Sequence, residues 1–188
     1  MRVPIDPADL PDDVLTDRAR DGDTAAFEAL LRRYQAPMYA LAARITGSPA
    51  DAEDAVQQAF TTAWRKLRDF RGDAKFSTWL YRVVTNQALT ILRRRRASSP
   101  LPEDDHSAAP APSERGPEAT VERTALADAL AAALAALPDD LRVVWLLREA
   151  DGCTYEEVAS IVGASVSTVR GRLARARTCL AAELAGWR

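Results

Sequence analysis

Apolar positions along this chain recur every three or four residues over most of its length, the spacing of one helix face. Alternating β-branched runs between tight turns, which would signal strands, are almost absent. From Thr24, an expected N-cap, Phe27, Leu30, Leu31 and Tyr34 fall on one stripe. Pro37 interrupts the pattern; Met38, Leu41, Ala42 and Ile45 resume it, and Gly47 ends it as a C-cap. Ser48-Pro49-Ala50-Asp51 opens the next helix, with serine as cap, proline at the first position and an acid in the first turn. Its apolar stripe is Ala52, Ala55, Val56, Ala59, Phe60, Ala63 and Leu67; its polar face carries Asp51, Asp54, Gln57, Gln58, Thr61 and Thr62. After a polar loop, Asp69–Lys75, Ser77 is expected to cap a long helix reaching about Arg95. Leu80, Val83, Val84, Ala88, Ile91 and Leu92 form its buried stripe, and Arg93–Arg96 complement the negative end of the helix dipole.

The pattern fails between Ala97 and Glu118, where proline, serine, glycine and the acids Glu103, Asp104 and Asp105 replace it. Such a stretch cannot bury a core and reads as an extended linker. The expected organisation is an acidic tail at 1–23, with room for a turn or two of helix at Val14–Arg20. A helical domain follows at 24–97, then a linker at 98–121 and a second helical domain at 122–188. The fold class is all-α, two small helical domains joined by a flexible acidic, proline-rich linker. In the second domain Leu126, Leu130, Leu134 and Leu137 mark an alanine-rich helix, Pro138 opens another, and Asp151-Gly152 stops it.

The segment Thr154–Ala176 has the spacing of a helix-turn-helix. Thr154 caps a short helix with Glu156 and Glu157 in its first turn, and Val158, Ala159 and Val162 face inward. Ala159 is small where a second helix must pass, Gly163 supplies the left-handed turn residue, and Val169 plugs the angle between the helices. The second helix is expected from about Ser167. Val166, Val169, Leu173, Ala176 and Leu180 face its core, while Arg170, Gly171, Arg172, Ala174 and Arg175 point away. Such a helix can enter a major groove, where arginine pairs with guanine O6 and N7, and Ser167 and Thr168 can hold phosphates at the helix start. Arginine at these intervals alone would equally describe a solvated helix face.

Charge refines this picture. The 188 residues carry a formal charge of −2 and a pI near 5.5, which argues against a general nucleic-acid binder. Acid dominates the first 28 residues and arginine dominates Arg93–Arg96 and Arg170–Arg177, so DNA would be met only at chosen faces. Cys153, Cys179 and His106 form no zinc spacing, and no metal or cofactor is expected. One histidine in a linker, without a phosphate loop or nucleophile elbow, argues against an enzyme. The acidic N-terminus is not a signal peptide and no stretch is long enough to span a membrane, so a cytoplasmic protein with reduced thiols is expected.

The first domain adds a second kind of chemistry. Phe70–Asn86 interleaves Phe70, Phe76, Trp79 and Tyr81 with Arg71, Lys75 and Arg82, a mixture suited to stacking unpaired bases while following a backbone. Arg82, Asn86 and Arg93 share one exposed stripe of the long helix, and Asn86 can hydrogen-bond a base edge. Phe76, Trp79 and Tyr81 also read as ordinary core residues.

Three segments of the first domain, Asp51–Trp64, Phe70-Arg71-Gly72 and Phe76–Arg82 followed by Asn86, resemble domain two of a sigma factor. Leu137-Pro138, Tyr155–Ala159 and Ser167–Arg177 resemble domain four. Order and linker are those of the extracytoplasmic-function (group IV) branch of the sigma-70 family, over nearly all of residues 24–185. The resemblance implies binding to core RNA polymerase and direction to promoters. Asp51, Asp54, Gln57, Gln58 and Trp64 would dock on the coiled coil of the largest subunit, with the flap as a further polymerase contact. Phe70, Arg71, Lys75, Phe76, Arg82, Asn86 and Arg93 would read the −10 element. Ser167, Thr168, Arg170, Gly171, Arg172, Ala174 and Arg175 would face the −35 element. The acidic linker would thread the polymerase cleft. The family is often restrained by an anti-sigma protein, and a free chain is expected to be monomeric, without membrane insertion. Gly171 stands where the family commonly has serine, Ser167 where it has glycine, and Thr90 where an aspartate often follows the asparagine, so promoter sequence does not transfer. A helix-turn-helix regulator acting on operator DNA apart from polymerase is the alternative; it would show a dimerisation seam and a ligand pocket, and the sequence signals neither.

Overall fold

The computed structural model describes residues 6–98 and 117–187, and every regular element within them is helical. The first half holds α1 (Asp12–Arg20), α2 (Thr24–Thr46), α3 (Pro49–Lys66) and α4 (Phe76–Ser98). The second holds α5 (Pro117–Ala136), α6 (Asp139–Trp145), α7 (Tyr155–Val162) and α8 (Val166–Glu183). His106 and most of the expected linker lie outside the described residues, and α5 begins at Pro117, inside the stretch read as linker, where proline fits the first helical position.

Within the expected acidic tail, Asp12–Arg20 is a structural element, α1, instead. In α1, Leu15 and Ala19 sit one turn apart and are buried in the core. Asp12 binds Arg33 and Tyr34 of α2, and Arg33 Nη2 donates to the Leu10 carbonyl at 2.9 Å. Its acids mislead a composition count: Asp12 and Asp13 occupy the first turn, where the helix dipole favours them. The α2 cap is Asp23 rather than Thr24, its carboxylate accepting from the Ala25 and Ala26 amides at 3.0 and 3.1 Å. Pro37 does not break α2, because Leu30 before it and Met38 and Leu41 after it are fully buried against the neighbouring helices. Tertiary packing there outweighs the proline penalty.

Along α3, Ala52, Ala55, Ala59 and Ala63 are fully buried, and these small side chains let α2 and α4 pack against it. Leu80, Val84, Ala88 and Leu92 close the core from α4, while Val83 and Ile91 are only half-buried.

The second half is built around α6 and α8. After Trp145 the chain widens into a π turn, Leu146–Ala150, whose Leu146 and Leu147 are fully buried. Thr154 and Glu157 then form a reciprocal capping box on α7, and Gly163 ends it at φ 66°, in the left-handed region. Ser165 caps α8, so that helix starts a residue before the expected Ser167. Val158, Ala159 and Ile161 are buried, with Val162 only half-buried, and Val169 is fully enclosed between α7 and α8.

The two halves pack on one another, α7 lying along α4. Arg96 grips Asp139 with two hydrogen bonds of 2.7 and 2.9 Å, Arg44 pairs with Asp151 at 3.6 Å, and Lys75 pairs with Glu157 at 3.1 Å.

Candidate nucleic-acid and polymerase interfaces

On α8 the core stripe Val169, Leu173, Ala176 and Leu180 fixes the rotation of the helix. Ser167, Thr168, Arg170, Gly171, Ala174 and Arg175 are consequently exposed on the opposite side, while Arg172 is half-buried. The Ser165 hydroxyl lies 2.9 Å from the hydroxyls of both Ser167 and Thr168, gathering three hydroxyl groups at the helix start. Arg172 pairs with Asp140 at 3.2 Å and Arg177 with Glu149 at 2.6 Å. Among the described residues no carboxylate pairs with Arg170 or Arg175, so their donors are free for an outside acceptor.

The first-half surface is less uniform. Arg82, Asn86 and Arg93 are exposed along α4 as expected, with Arg93 bent back onto the Leu89 carbonyl and the Thr90 hydroxyl at 3.2 Å each. Arg71 and Lys75 are exposed on the loop. Phe76 departs from expectation: it is 4% exposed, packed on Tyr34, Phe70 and Trp79 at ring separations of 5.8, 6.4 and 5.8 Å. It cannot reach a base from there and holds the loop in place instead. Phe70 and Trp79, 5.2 Å apart, are half-buried at the edge of the same cluster. Burial raises the Tyr34 hydroxyl to a pKa of about 12, with Asp12 adding to the effect.

On α3, Asp54, Gln57, Gln58 and Trp64 form an exposed face. Asp51 is half-buried and reaches Arg95 at 3.6 Å, which ties the start of α3 to the end of α4. Trp64 is 40% exposed with one side against Phe27, ring centroids 4.8 Å apart, and borders a hollow shared with Arg65 and Arg68.

Several functional-site neighbours escaped sequence reasoning. Glu157 does two jobs: Oε2 accepts from the Thr154 amide at 2.9 Å in the α7 cap, and Oε1 faces Lys75. The backbone bond, then the lysine, holds its carboxyl below the usual range. Asp151 is buried in the contact between the halves, with Oδ2 lacking a hydrogen-bond partner, and burial lifts its pKa to about 6 against the pull of Arg44. Burial, with Asp151 nearby, also lifts the Cys153 thiol to about 11, while Cys179 is exposed. Tyr155 stands beneath two arginines, Arg148 at 4.8 Å and Arg170 at 5.3 Å from its ring centre. The capping acid Glu157 and the motif residue Tyr155 are visible in the sequence; their partners, Lys75 and Arg170, are not.

The described residues are all-helical, with a helix-turn-helix in one half and an aromatic-basic helical surface in the other, an arrangement that fits a transcription initiation protein of the sigma type. Residues 30–98 match the family described as sigma-70 region 2, and residues 127–180 match sigma-70, region 4. The ECF RNA polymerase sigma-E factor of Escherichia coli is 39% identical over 178 residues, covering 91% of this chain and 93% of the relative. The RNA polymerase sigma-H factor of Pseudomonas aeruginosa is 37% identical over 180 residues, covering 90% and 91%. Among solved structures, CnrH bound to the cytosolic domain of CnrY superposes with a TM-score of 0.71 at 29% identity, covering 93% of this chain and 97% of that one. The sigma factor RpoE of Bartonella quintana, solved with the anti-sigma factor NepR, gives 0.70 at 26%, covering 86% and 98%. The chain belongs to the extracytoplasmic-function branch of the sigma-70 family. Its function is that of a promoter-specificity subunit of RNA polymerase, a non-catalytic initiation factor whose partners are core polymerase and promoter DNA. No helix among the described residues is long and apolar enough to cross a membrane.

Proposed function

We propose that the α8 face of Arg170, Gly171, Ala174 and Arg175, with Ser167, Thr168 and Arg172, reads the −35 element as duplex. In this reading Arg71, Lys75, Arg82, Asn86 and Arg93 engage the −10 element, with Phe70 stacking on a base drawn out of the duplex. The observation that carries it is the pairing, in one chain, of an unneutralised arginine face on α8 with an exposed Arg82-Asn86-Arg93 stripe on α4. Asp54, Gln57, Gln58 and Trp64 are assigned to the largest-subunit coiled coil, and the second half to the flap. The labels −10 and −35 stand about 25 base pairs apart, roughly 85 Å of duplex at ~3.4 Å per step. Two halves in contact do not span that length, so the packed arrangement is the resting one and polymerase binding parts it. An anti-sigma protein, of the kind solved with RpoE of Bartonella quintana, would hold the chain in the cytoplasm until released.

Transcription with purified core polymerase on a genomic fragment library, followed by start-site mapping, tests the reading. Starts should share two sequence blocks, and Arg170→Ala with Arg175→Ala should lose selection of the upstream block alone. Starts without an upstream block, or unaffected by those changes, would refute the −35 assignment.

A further inference from the structure

Tyr155 opens α7, yet its ring lies against the recognition helix. The guanidinium carbon of Arg170 stands 5.3 Å from the ring centre and that of Arg148 4.8 Å. Arg148 is itself fixed by a 2.8 Å hydrogen bond to the Cys153 carbonyl, so the ring is held from the side of the π turn. The neighbouring arginines are restrained differently. Arg172 meets the carboxylate of Asp140, and Arg177 that of Glu149 together with the Tyr155 hydroxyl; these contacts engage N–H donors, and the carboxylates neutralise charge. An aromatic face attracts a guanidinium through its quadrupole and takes up none of the in-plane donors.

We propose that Tyr155 is a positioning residue for base reading: its ring holds Arg170 in the orientation that meets the −35 element while leaving all the guanidinium donors free for a base edge. The inference rests on the −35 assignment of α8. An exposed arginine at the fifth position of a helix otherwise samples many rotamers, and ordering it on binding costs entropy. A ring that orders it beforehand reduces that cost at the one base pair Arg170 meets, and at no other. Arg175, one turn and a fraction further along α8, has no such support among the described residues and should read its base less sharply.

The test uses holoenzyme reconstituted from core polymerase and the full chain, on promoters varied one base pair at a time across the −35 element. Arg170→Ala should lower discrimination at its base pair about ten-fold. Tyr155→Leu should lower discrimination at that same base pair about three-fold, leaving the other −35 positions and core polymerase affinity unchanged. Tyr155→Phe, which keeps the ring and drops the hydroxyl, should behave as the parent. The double variant Tyr155→Leu, Arg170→Ala should be no worse than Arg170→Ala alone. A loss spread evenly over the −35 element, an additive double variant, or an equal loss in Tyr155→Phe would overturn the proposal. Should Arg170→Ala leave −35 preference untouched, the assignment of α8 fails first and the proposal with it; if Arg170→Ala acts and Tyr155→Leu is silent, only the proposal fails. A measurement on the unaltered chain does not depend on any variant folding: the Arg170 side-chain proton resonances should be displaced by the ring current of Tyr155, and unperturbed resonances would overturn the contact itself.

Discussion

The two basic surfaces of this molecule are held in opposite ways. On α8 the supporting core lies behind one helix, and the surface residues Arg170, Ala174 and Arg175 are exposed to solvent with no carboxylate of the described residues against the arginines. At the start of α4 the support is an aromatic cluster centred on Phe76, and the lysine beside it is engaged by Glu157 of the other half. In the proposed reading, one surface would meet duplex DNA as it stands. The other rests on the packing beneath it and on a neighbour that would have to move. The comparison separates side chains that read from side chains that hold the reader, a division that residue type alone does not make.

The comparison breaks first at Phe76. Phe76→Ala should destabilise the full chain by about 3–5 kcal/mol in urea unfolding, as for a buried aromatic, whereas half-buried Phe70→Ala should cost less than half of that. Equal costs would return Phe76 to the reading surface. Next is Arg175→Ala, which should remove about 1 kcal/mol of −35 discrimination in transcription from matched and mismatched promoters, less than Arg170→Ala removes, yet leave the urea midpoint nearly unmoved. A fall in stability instead would make Arg175 a supporting residue.

Smaller in size is the pH dependence of Asp151. Its carboxyl titrates near 3.8 in an ordinary setting and near 6 in the folded chain. Between those values the folded chain keeps a proton that the unfolded chain has lost, so the contribution of this group to stability falls as pH rises from 3.8 to 6 and is constant above. Asp151→Asn should therefore exceed the parent in stability by on the order of 1 kcal/mol above pH 6, and the gap should close towards pH 4. A gap that widened at low pH would contradict the burial argument. The smallest effect is expected at the Lys75–Glu157 pair. Glutamine can still cap α7, so a double-mutant cycle of Glu157→Gln with Lys75→Ala should show coupling of about 0.5 kcal/mol or less, as for an exposed ion pair. Coupling several times larger would mean that this one pair, rather than helix packing, keeps the halves together.

What was legible in the sequence was local. The Thr154–Glu157 capping box, Gly163 in the left-handed region and enclosed Val169 all rest on interactions within a few residues, and spacing announces them. The family motifs carried the order of the two halves in the same way. Features that depended on distant packing were misread or missed. The acids of α1 hid the burial of Leu15, and Pro37 looked like a break because nothing nearby shows Met38 and Leu41 held by other helices. Phe76 reads as either a stacking or a core residue until Tyr34 of α2 is placed against it. The partners of Glu157 and Asp151, Lys75 and Arg44, lie in the other half of the chain, where no periodicity reaches.

Gly171 differs in kind from Gly163, although both belong to the helix-turn-helix. Gly163 is committed by its backbone; a Cβ added at Gly171 would have helical geometry and meet no atom within 4 Å beyond its chain neighbours and the adjacent backbone of its own helix. A glycine inside a helix costs about 0.8–1.0 kcal/mol relative to alanine, so most side chains placed there would strengthen α8 while projecting from its exposed face. If α8 reads the −35 element as proposed, the promoter address of this protein could be rewritten at a single codon at little cost to the fold, and related chains could drift apart in regulon through that position before any other part of the molecule had to change.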